Sequence, residues 1–496
     1  MTVEWKGDGP GLLMQLDRGA PRQLGHQLRE QLRSAIRTGA LRPGERLPSS
    51  RSLADQLGIS RGLVVDSYAQ LYAEGYLVSE VGSGTRVAER AATTPLESTG
   101  TAYDGPKQRF DVDFEYGIPD LASAPVRDWV WALGDAARLA PATLMGDEPD
   151  RGDQRLRDVL TAYHRRVRAG ASVAERTIVT TGFRHALTLV FATLATHGVE
   201  RVGLESPGPR DHDRIAERFG LHAVPVPVDE DGVDVAALTV SGARAVVLTP
   251  AHQCPTGVAL SPVRRQELVA WAEQVDGFVI EDEYDSEFRY DRQPVGSLQG
   301  LAPERVIALG SVSKTLAPGI RIGWIFAPPA VVDGLVETKA LTSRGAPALD
   351  QLALARLMES GRYDRHLRRM RTTYQVRRDA LIAAVNEHLP ALRLTGLAAG
   401  CHAVLRLPPG TSEAAVVAAA EARSVSVRGL GDYLVGDSVP GAPGLVLGFG
   451  NVNESGIRRG IHGLAEAIDA LDAGPGRPAR STAELSVPSS TPRDSA

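Results

Sequence analysis

Apolar residues in the first part of the chain recur at helical spacing. Leu24, Leu28, Leu32 and Ile36 form one stripe in PRQLGHQLREQLRSAIRTG, stopped by Gly39. Ser49 or Ser50 is placed to cap a short second helix running to Leu57 and ending at Gly58. Ser60 caps a third helix through about Glu74. After Gly75, YLVSE and GTRVAE alternate around Gly82 and Gly84, as a small hairpin does. Helix, helix, turn, helix, hairpin is the order of a winged helix-turn-helix, expected over residues 18–88.

Periodicity then stops. Residues 89–110 carry AATTPLESTGTAYDGPKQ, which reads as a linker. Beyond it, short apolar runs alternate with amphipathic stretches: 177-TIVTTG, 201-RVGLES, 244-RAVVLTP, 277-GFVIEDE, 305-RVIALGS and 322-IGWIFAP. That alternation predicts a mainly parallel, doubly wound α/β sheet. From Gly474 the sequence is rich in Pro, Ser and Ala, so residues 471–496 are expected to be a disordered tail. The middle block, 111–470, is left as one large domain.

Composition narrows the class. The 496 residues are 43% hydrophobic and 23% charged, with a net charge of −5. No apolar run approaches the length of a membrane span. MTVEWKGDGP has no basic region followed by an apolar stretch, so no signal peptide is expected and a cytoplasmic location is. Cys254 and Cys401 give neither a disulfide framework nor metal-ligand spacing. Charge is uneven, however. Between Arg18 and Arg61 nine arginines stand against three acids, a net of +6 in an acidic chain, which points to nucleic acid as a partner.

The chemistry centres on 310-GSVSKTLAPGIRIGW. Lys314 lies between two apolar segments, a setting that lowers a lysine's pKa and suits Schiff-base formation. A lysine serving pyridoxal 5'-phosphate (PLP) needs a carboxylate for the ring nitrogen, a hydrogen bond for the ring oxygen and donors for the phosphate. In 278-FVIEDEYDSEF a strand ends at Asp282, and Tyr284 two residues on faces the same side; Glu281 and Glu283 face elsewhere. Ser311, Ser313 and Arg321 flank the lysine as phosphate donors. Gly182 follows a strand and opens a helix, so the N–H groups of Gly182, Phe183 and Arg184 are placed to cradle an anion.

Two resemblances sharpen these expectations. Residues 46-RLPSSRSLADQLGISRGLVVDSY, with GSGTRV after them, resemble the GntR family of winged-helix regulators over roughly residues 20–88. Ser49, Ser50 and Ser60 are then expected on phosphates, Arg51 and Arg61 on base edges or phosphates, and Gly82 at the wing tip. The family often has threonine where this chain has Leu63, a core residue or a thymine contact. Further on, 111-DVDFEYGIPDLASAPVRDW, 249-TPAHQCPTG, 280-IEDEYDSEFRY and 311-SVSKTLAPGIRIGW look like the aminotransferase-like domain of the MocR subfamily, from about Asp111 to Ala470. That likeness implies a large fold-type I domain with a small C-terminal α+β subdomain. It also implies PLP held as an aldimine on Lys314, with Asp282 at the ring nitrogen, Tyr284 at the ring oxygen, and Arg321 and Ser311 at the phosphate. It further implies a head-to-tail homodimer, a double-stranded DNA operator, and PLP or an amino compound as effector.

Three positions depart from the aminotransferase pattern. Pro209 stands where an aromatic residue covers the ring; either His185 or His212 takes its place, or the stacking is absent. Cys254 stands where asparagine touches the ring oxygen. The segment 444-GLVLGFGNVNES lacks the arginine that clamps a substrate carboxylate, and Arg210 and Arg428 are the substitutes at hand. His252 reads as structural and stays outside the site. A PLP-dependent regulator is the leading function; a working aminotransferase and a regulator with a cofactor-free dimerisation domain are the alternatives.

Overall fold

The computed structural model describes residues 3–4, 13–14, 16–19, 23–80, 84–89, 110–146, 150–290, 295–343, 345–396, 399–439 and 441–472. Gly82, residues 90–109 of the expected linker and the expected tail from residue 473 lie outside the described residues. The chain divides into two units, Met1–Lys107 and Gln108–Ala496.

The first unit opens with a short antiparallel pair, β1 (Val3–Glu4) and β2 (Leu13–Met14). Helices α1 (Leu24–Arg37), α2 (Ser50–Leu57) and α3 (Arg61–Ala73) follow. Leu28, Leu32 and Ile36 of the α1 stripe are buried in one core with Val64, Tyr68 and Leu71 of α3. Each such side chain contributes about 1.5–3 kcal/mol by leaving water. Ser49 and Ser60 cap α2 and α3 by accepting from Ser52 N and Leu63 N. Strands β3 (Leu77–Glu80) and β4 (Gly84–Val87) pair antiparallel. Leu63 packs against the core, half-buried.

In the second unit, β5 (Val112–Asp113), α4 (Val126–Leu139) and α5 (Gln154–Arg168) precede the main sheet. Its strands are β6 (Thr177–Thr180), β7 (Arg201–Ser206), β8 (His222–Asp229), β9 (Gly232–Val233), β10 (Ala245–Leu248), β11 (Phe278–Asp282), β12 (Val306–Ser311) and β13 (Gly323–Phe326). They lie in the order β6-β13-β12-β11-β10-β7-β8-β9. The central pairs from β8 to β12 are parallel. β13 runs antiparallel to both β12 and β6. The eleven residues joining β12 to β13 contain Lys314 and no α-helix, and a connection without a crossover returns the chain antiparallel.

Both faces of the sheet are covered. Ile307 and Leu309 of β12 enter one core and Ala308 the other; in β13, Ile325 enters the first and Trp324 and Phe326 the second. Burial on both sides explains why these strands read as continuous apolar runs. The C-terminal part builds a four-stranded antiparallel sheet from β14 (Arg393–Thr395), β15 (His402–Arg406), β17 (Arg428–Gly429) and β18 (Gly444–Gly448). β16 (Val425–Ser426) reaches back to pair with β5. Among the described residues no helix is long and apolar enough to cross a membrane.

Candidate functional site

The carboxyl ends of the central strands open into a cavity of about 400 Å³. Lys314 lines it from the β12–β13 connection, its Nζ donating to the Gly117 carbonyl. Asp282, the last residue of β11, and Tyr284 line it from the facing side. Their neighbours turn away. Glu281 accepts from Ser297 Oγ, Leu298 N and Gln299 N, and Glu283 pairs with the buried Arg168 at 3.0 Å.

Asp282 is buried, and its Oδ1 has no hydrogen-bond partner. Burial pushes its carboxyl well above the usual range; Asp285 adds to this and Lys314 opposes it. An unpartnered carboxylate oxygen in a cavity is an acceptor awaiting a cationic N–H, the group a pyridinium brings. Burial also raises the Tyr284 phenol, which stays protonated and donates to the His252 carbonyl at 2.8 Å.

The expected anion cradle lies around Gly182. This residue has φ +102° and stands at the N-cap of α6 (Phe183–Thr196), with no side chain competing for the free N–H groups. A Cβ at Gly182 would sit 3.6 Å from the Arg321 guanidinium carbon. Phe183, Arg184, Ser311, Ser313 and Arg321 all line the cavity. The Arg184 side chain pairs with Asp211 at 2.7 Å.

The three departures have structural counterparts. Pro209 lines the cavity, and so does His212 of α7 (His212–Arg218), whose ring lies 5.6 Å from that of Phe183. Burial lowers His212 to about 4, so it is neutral. His185 does not line the cavity: its Nδ1 meets Thr181 N at 3.0 Å and its Nε2 meets Ser343 Oγ at 3.1 Å. Arg210 lines the cavity and is exposed. Arg428 is bound to Glu115 at 2.6 Å. Cys254 is buried, and burial raises its thiol.

Residues beyond the sequence expectations also line the cavity, Glu115, Tyr116 and Tyr433 among them, whereas His252, expected to be structural, does not. His252 is buried and bonded through Nδ1 to Asp285 at 2.8 Å. Only the fold brings Glu115 and Tyr116 together with Tyr433, and His252 together with Asp285; the DEYD run alone carried a signal for Asp285.

In the first unit, Ser49 and Ser60 are caps, and Ser50 Oγ accepts from Arg61 Nε at 3.4 Å. Arg51 and Arg61 are exposed near the starts of α2 and α3. Val65, one turn on from Arg61, is also exposed. This end of α3 therefore offers cationic and apolar groups to a groove.

Comparison with known proteins agrees with both units. The family described as bacterial regulatory proteins, gntR family, matches residues 24–87, and aminotransferase class I and II matches residues 112–432. The chain is 35% identical to the HTH-type pyridoxine biosynthesis transcriptional regulator PdxR of Corynebacterium glutamicum, over 92% of this chain and 97% of that one. It is 32% identical to the probable rhizopine catabolism regulatory protein MocR of Rhizobium meliloti, over 93% and 97%. Among solved structures, LysN, an alpha-aminoadipate aminotransferase of Thermus thermophilus complexed with N-(5'-phosphopyridoxyl)-L-leucine, matches with a TM-score of 0.65 at 25% identity, over 73% of this chain and 93% of that one.

Proposed function

The chain belongs to the MocR type of GntR regulators, DNA-binding transcription regulators with an aminotransferase class I/II domain, and from that premise we propose that it binds PLP at Lys314 and senses PLP or an amino compound. The observation that carries the cofactor reading is the buried, unpartnered Asp282 Oδ1 in the same cavity as Lys314. When bound, PLP supplies an aldehyde that a primary amine can capture. Lys314 is the amine this chain offers. Asp282 would hold the proton on the ring nitrogen, and Tyr284 would face the ring oxygen. Arg321, Ser311, Ser313 and the N–H groups of Gly182, Phe183 and Arg184 would hold the phosphate at a helix N-terminus.

An incoming amine competes with Lys314 for the same carbon, which gives the pocket a way to register it. The reading assigns residues 18–88 to operator binding through Ser49, Ser50, Arg51, Ser60, Arg61 and Gly82. It takes 89–110 as linker, 111–470 as sensor and 471–496 as tail. It includes a cytoplasmic head-to-tail homodimer, after the family likeness. To act as a switch, the ligand must favour one arrangement of the two DNA-binding units over another. Turnover as an aminotransferase is the weaker reading, because 444-GLVLGFGNVNES has no arginine and Arg428 is already paired.

The test is the visible absorbance of the purified protein given PLP, followed by borohydride reduction and peptide mapping. A yellow species with the label on Lys314 is expected, and Lys314→Ala should abolish it. A colourless wild type, or a label elsewhere, contradicts the cofactor reading.

A further inference from the structure

Behind Tyr284 lies a buried chain of polar groups that the roles above leave unused. Asp285 Oδ2 is 2.8 Å from His252 Nδ1. The Tyr284 hydroxyl is 3.2 Å from the same Nδ1 and 2.8 Å from the His252 carbonyl oxygen. Asp285 and His252 are each 2% exposed. The loop that covers them is glycine at position 400, with φ +65°. A Cβ there would fall 2.3 Å from Asp285 Oδ2 and 2.4 Å from His252 Cε1. The chain passes as close to this pair as backbone can.

Donor and acceptor bookkeeping at Nδ1 is restrictive. A carboxylate only accepts, so the nitrogen facing Asp285 carries the proton. That Nδ1–H then has no lone pair for Tyr284. The Tyr284 proton is left with two acceptors, the His252 carbonyl and whatever oxygen enters the cavity. The second strong donor to such an oxygen is missing, because Cys254 is a weak donor in the place of an asparagine.

Other charged or titratable groups face this chain as well. Arg289 lines a small hole with His252 and Asp285. The His402 ring is tilted against His252 at 4.7 Å and is kept neutral by burial. Tyr116 faces Tyr284 edge-on at 6.3 Å. Asp282 and Lys314 stand across the cavity, and Cys401 is buried nearby. Among the described hydrogen bonds, those at His252 Nδ1 join it to Asp285 and Tyr284.

We propose that Asp285 and His252 are positioning residues: Asp285 holds His252 in the Nδ1–H form, so that the imidazole cannot capture the Tyr284 proton and Tyr284 remains the donor to the ring oxygen of bound PLP. This role rests on the cofactor reading above. It carries a sign that separates it from simple electrostatics. In Asp285→Asn the side chain no longer fixes the proton on Nδ1, so the ring can take its Nε2–H form and offer the Nδ1 lone pair to the Tyr284 hydroxyl, which draws its proton away from the cavity. The ionised ring oxygen then loses a donor, and the bound cofactor holds its proton more tightly. Removing a negative charge from the neighbourhood acts the other way, easing the proton off.

The experiment is a pH titration of the visible band of PLP-loaded full-length protein. Asp285→Asn should raise the midpoint by about one pH unit, as Tyr284→Phe should. In the Tyr284→Phe background, Asp285→Asn should add no further rise, because the pair acts through that hydroxyl. A midpoint that falls or stays put in Asp285→Asn, or an equal rise with and without Tyr284, overturns the positioning role. NMR of ring-15N histidine in the wild type gives a check that needs no variant: His252 should carry its proton on Nδ1, and an Nε2–H form overturns the role. Borohydride trapping on Lys314 in every sample separates the failures. Loaded protein with an unmoved midpoint removes only the positioning role, whereas a wild type that traps no PLP removes the cofactor reading and this role with it.

Discussion

Glu205 lies at the end of β7, fully buried, and accepts from Thr249 N at 3.0 Å and Thr249 Oγ1 at 2.7 Å. Thr249 Oγ1 in turn accepts from Cys254 N, so the carboxyl braces the loop beside the cavity. Burial raises Glu205 from 4.5 to about 7. Its folded-state pKa is above the unfolded value, so its contribution to stability is full below about 4.5 and is lost as pH rises through about 7. Glu205→Gln keeps an acceptor and cannot ionise. Its melting temperature relative to wild type should therefore rise from pH 5 to pH 8. Thermal melts across that window check it, and a flat difference contradicts the assignment. At the DNA-binding face, Arg61→Ala removes an exposed cation at the start of α3. It should weaken operator binding by about 1–3 kcal/mol if it reads a base, or lower the salt slope by about one if it meets a phosphate. Titrations at several salt concentrations distinguish the two.

Among the elements, the long apolar runs were readable because both faces of the sheet are buried, and all six expected strands lie in it. β8 was not foreseen: HAVPVPVD carries Pro225 and Pro227, which argue against a central strand. It lies next to the sheet edge, beyond which only the two-residue β9 remains, and prolines are tolerated there. The antiparallel turn of β13 follows from the lysine connection, which is too short for a crossover. Asp282 was legible as the last residue of an apolar strand; Tyr284 lines the same cavity although it lies two residues past the end of β11, where strand alternation no longer applies. The partner of His252 was not legible, because Asp285 lies 33 residues on and only the packing of two loops joins them. Leu63 was left open between core and DNA contact and is half-buried against the core, whereas Val65 is exposed on the same turn of that helix. Two tests belong at this scale. Gly182→Ala forces a side chain into φ +102°, ψ 175°, at a cost of about 1–3 kcal/mol that the loop meets by shifting its free N–H groups beside Arg321. PLP affinity should fall with little change in the far-ultraviolet spectrum. Ser60→Ala removes the α3 cap and should lower the stability of the first unit by about 1 kcal/mol, read from denaturant unfolding.

At the scale of the whole chain, a DNA-binding unit and an aminotransferase class I/II domain share one polypeptide, and the proposed function requires that the state of one bias the other. A ligand that binds both arrangements equally changes nothing, whatever its affinity. A coupling of 1–3 kcal/mol, about 5–150-fold in affinity, is the range in which such linkage operates. The direct measurement uses duplexes selected from a random pool for binding to the full-length protein. Their affinity is then measured for wild type and Lys314→Ala, each with and without PLP and with PLP plus a panel of primary amines. The expected result is a shift of at least about fivefold in wild type for PLP or for one amine, absent in Lys314→Ala. Equal affinity in every sample, with PLP shown to be loaded on the wild-type lysine, would contradict the account of this chain as a PLP-linked switch.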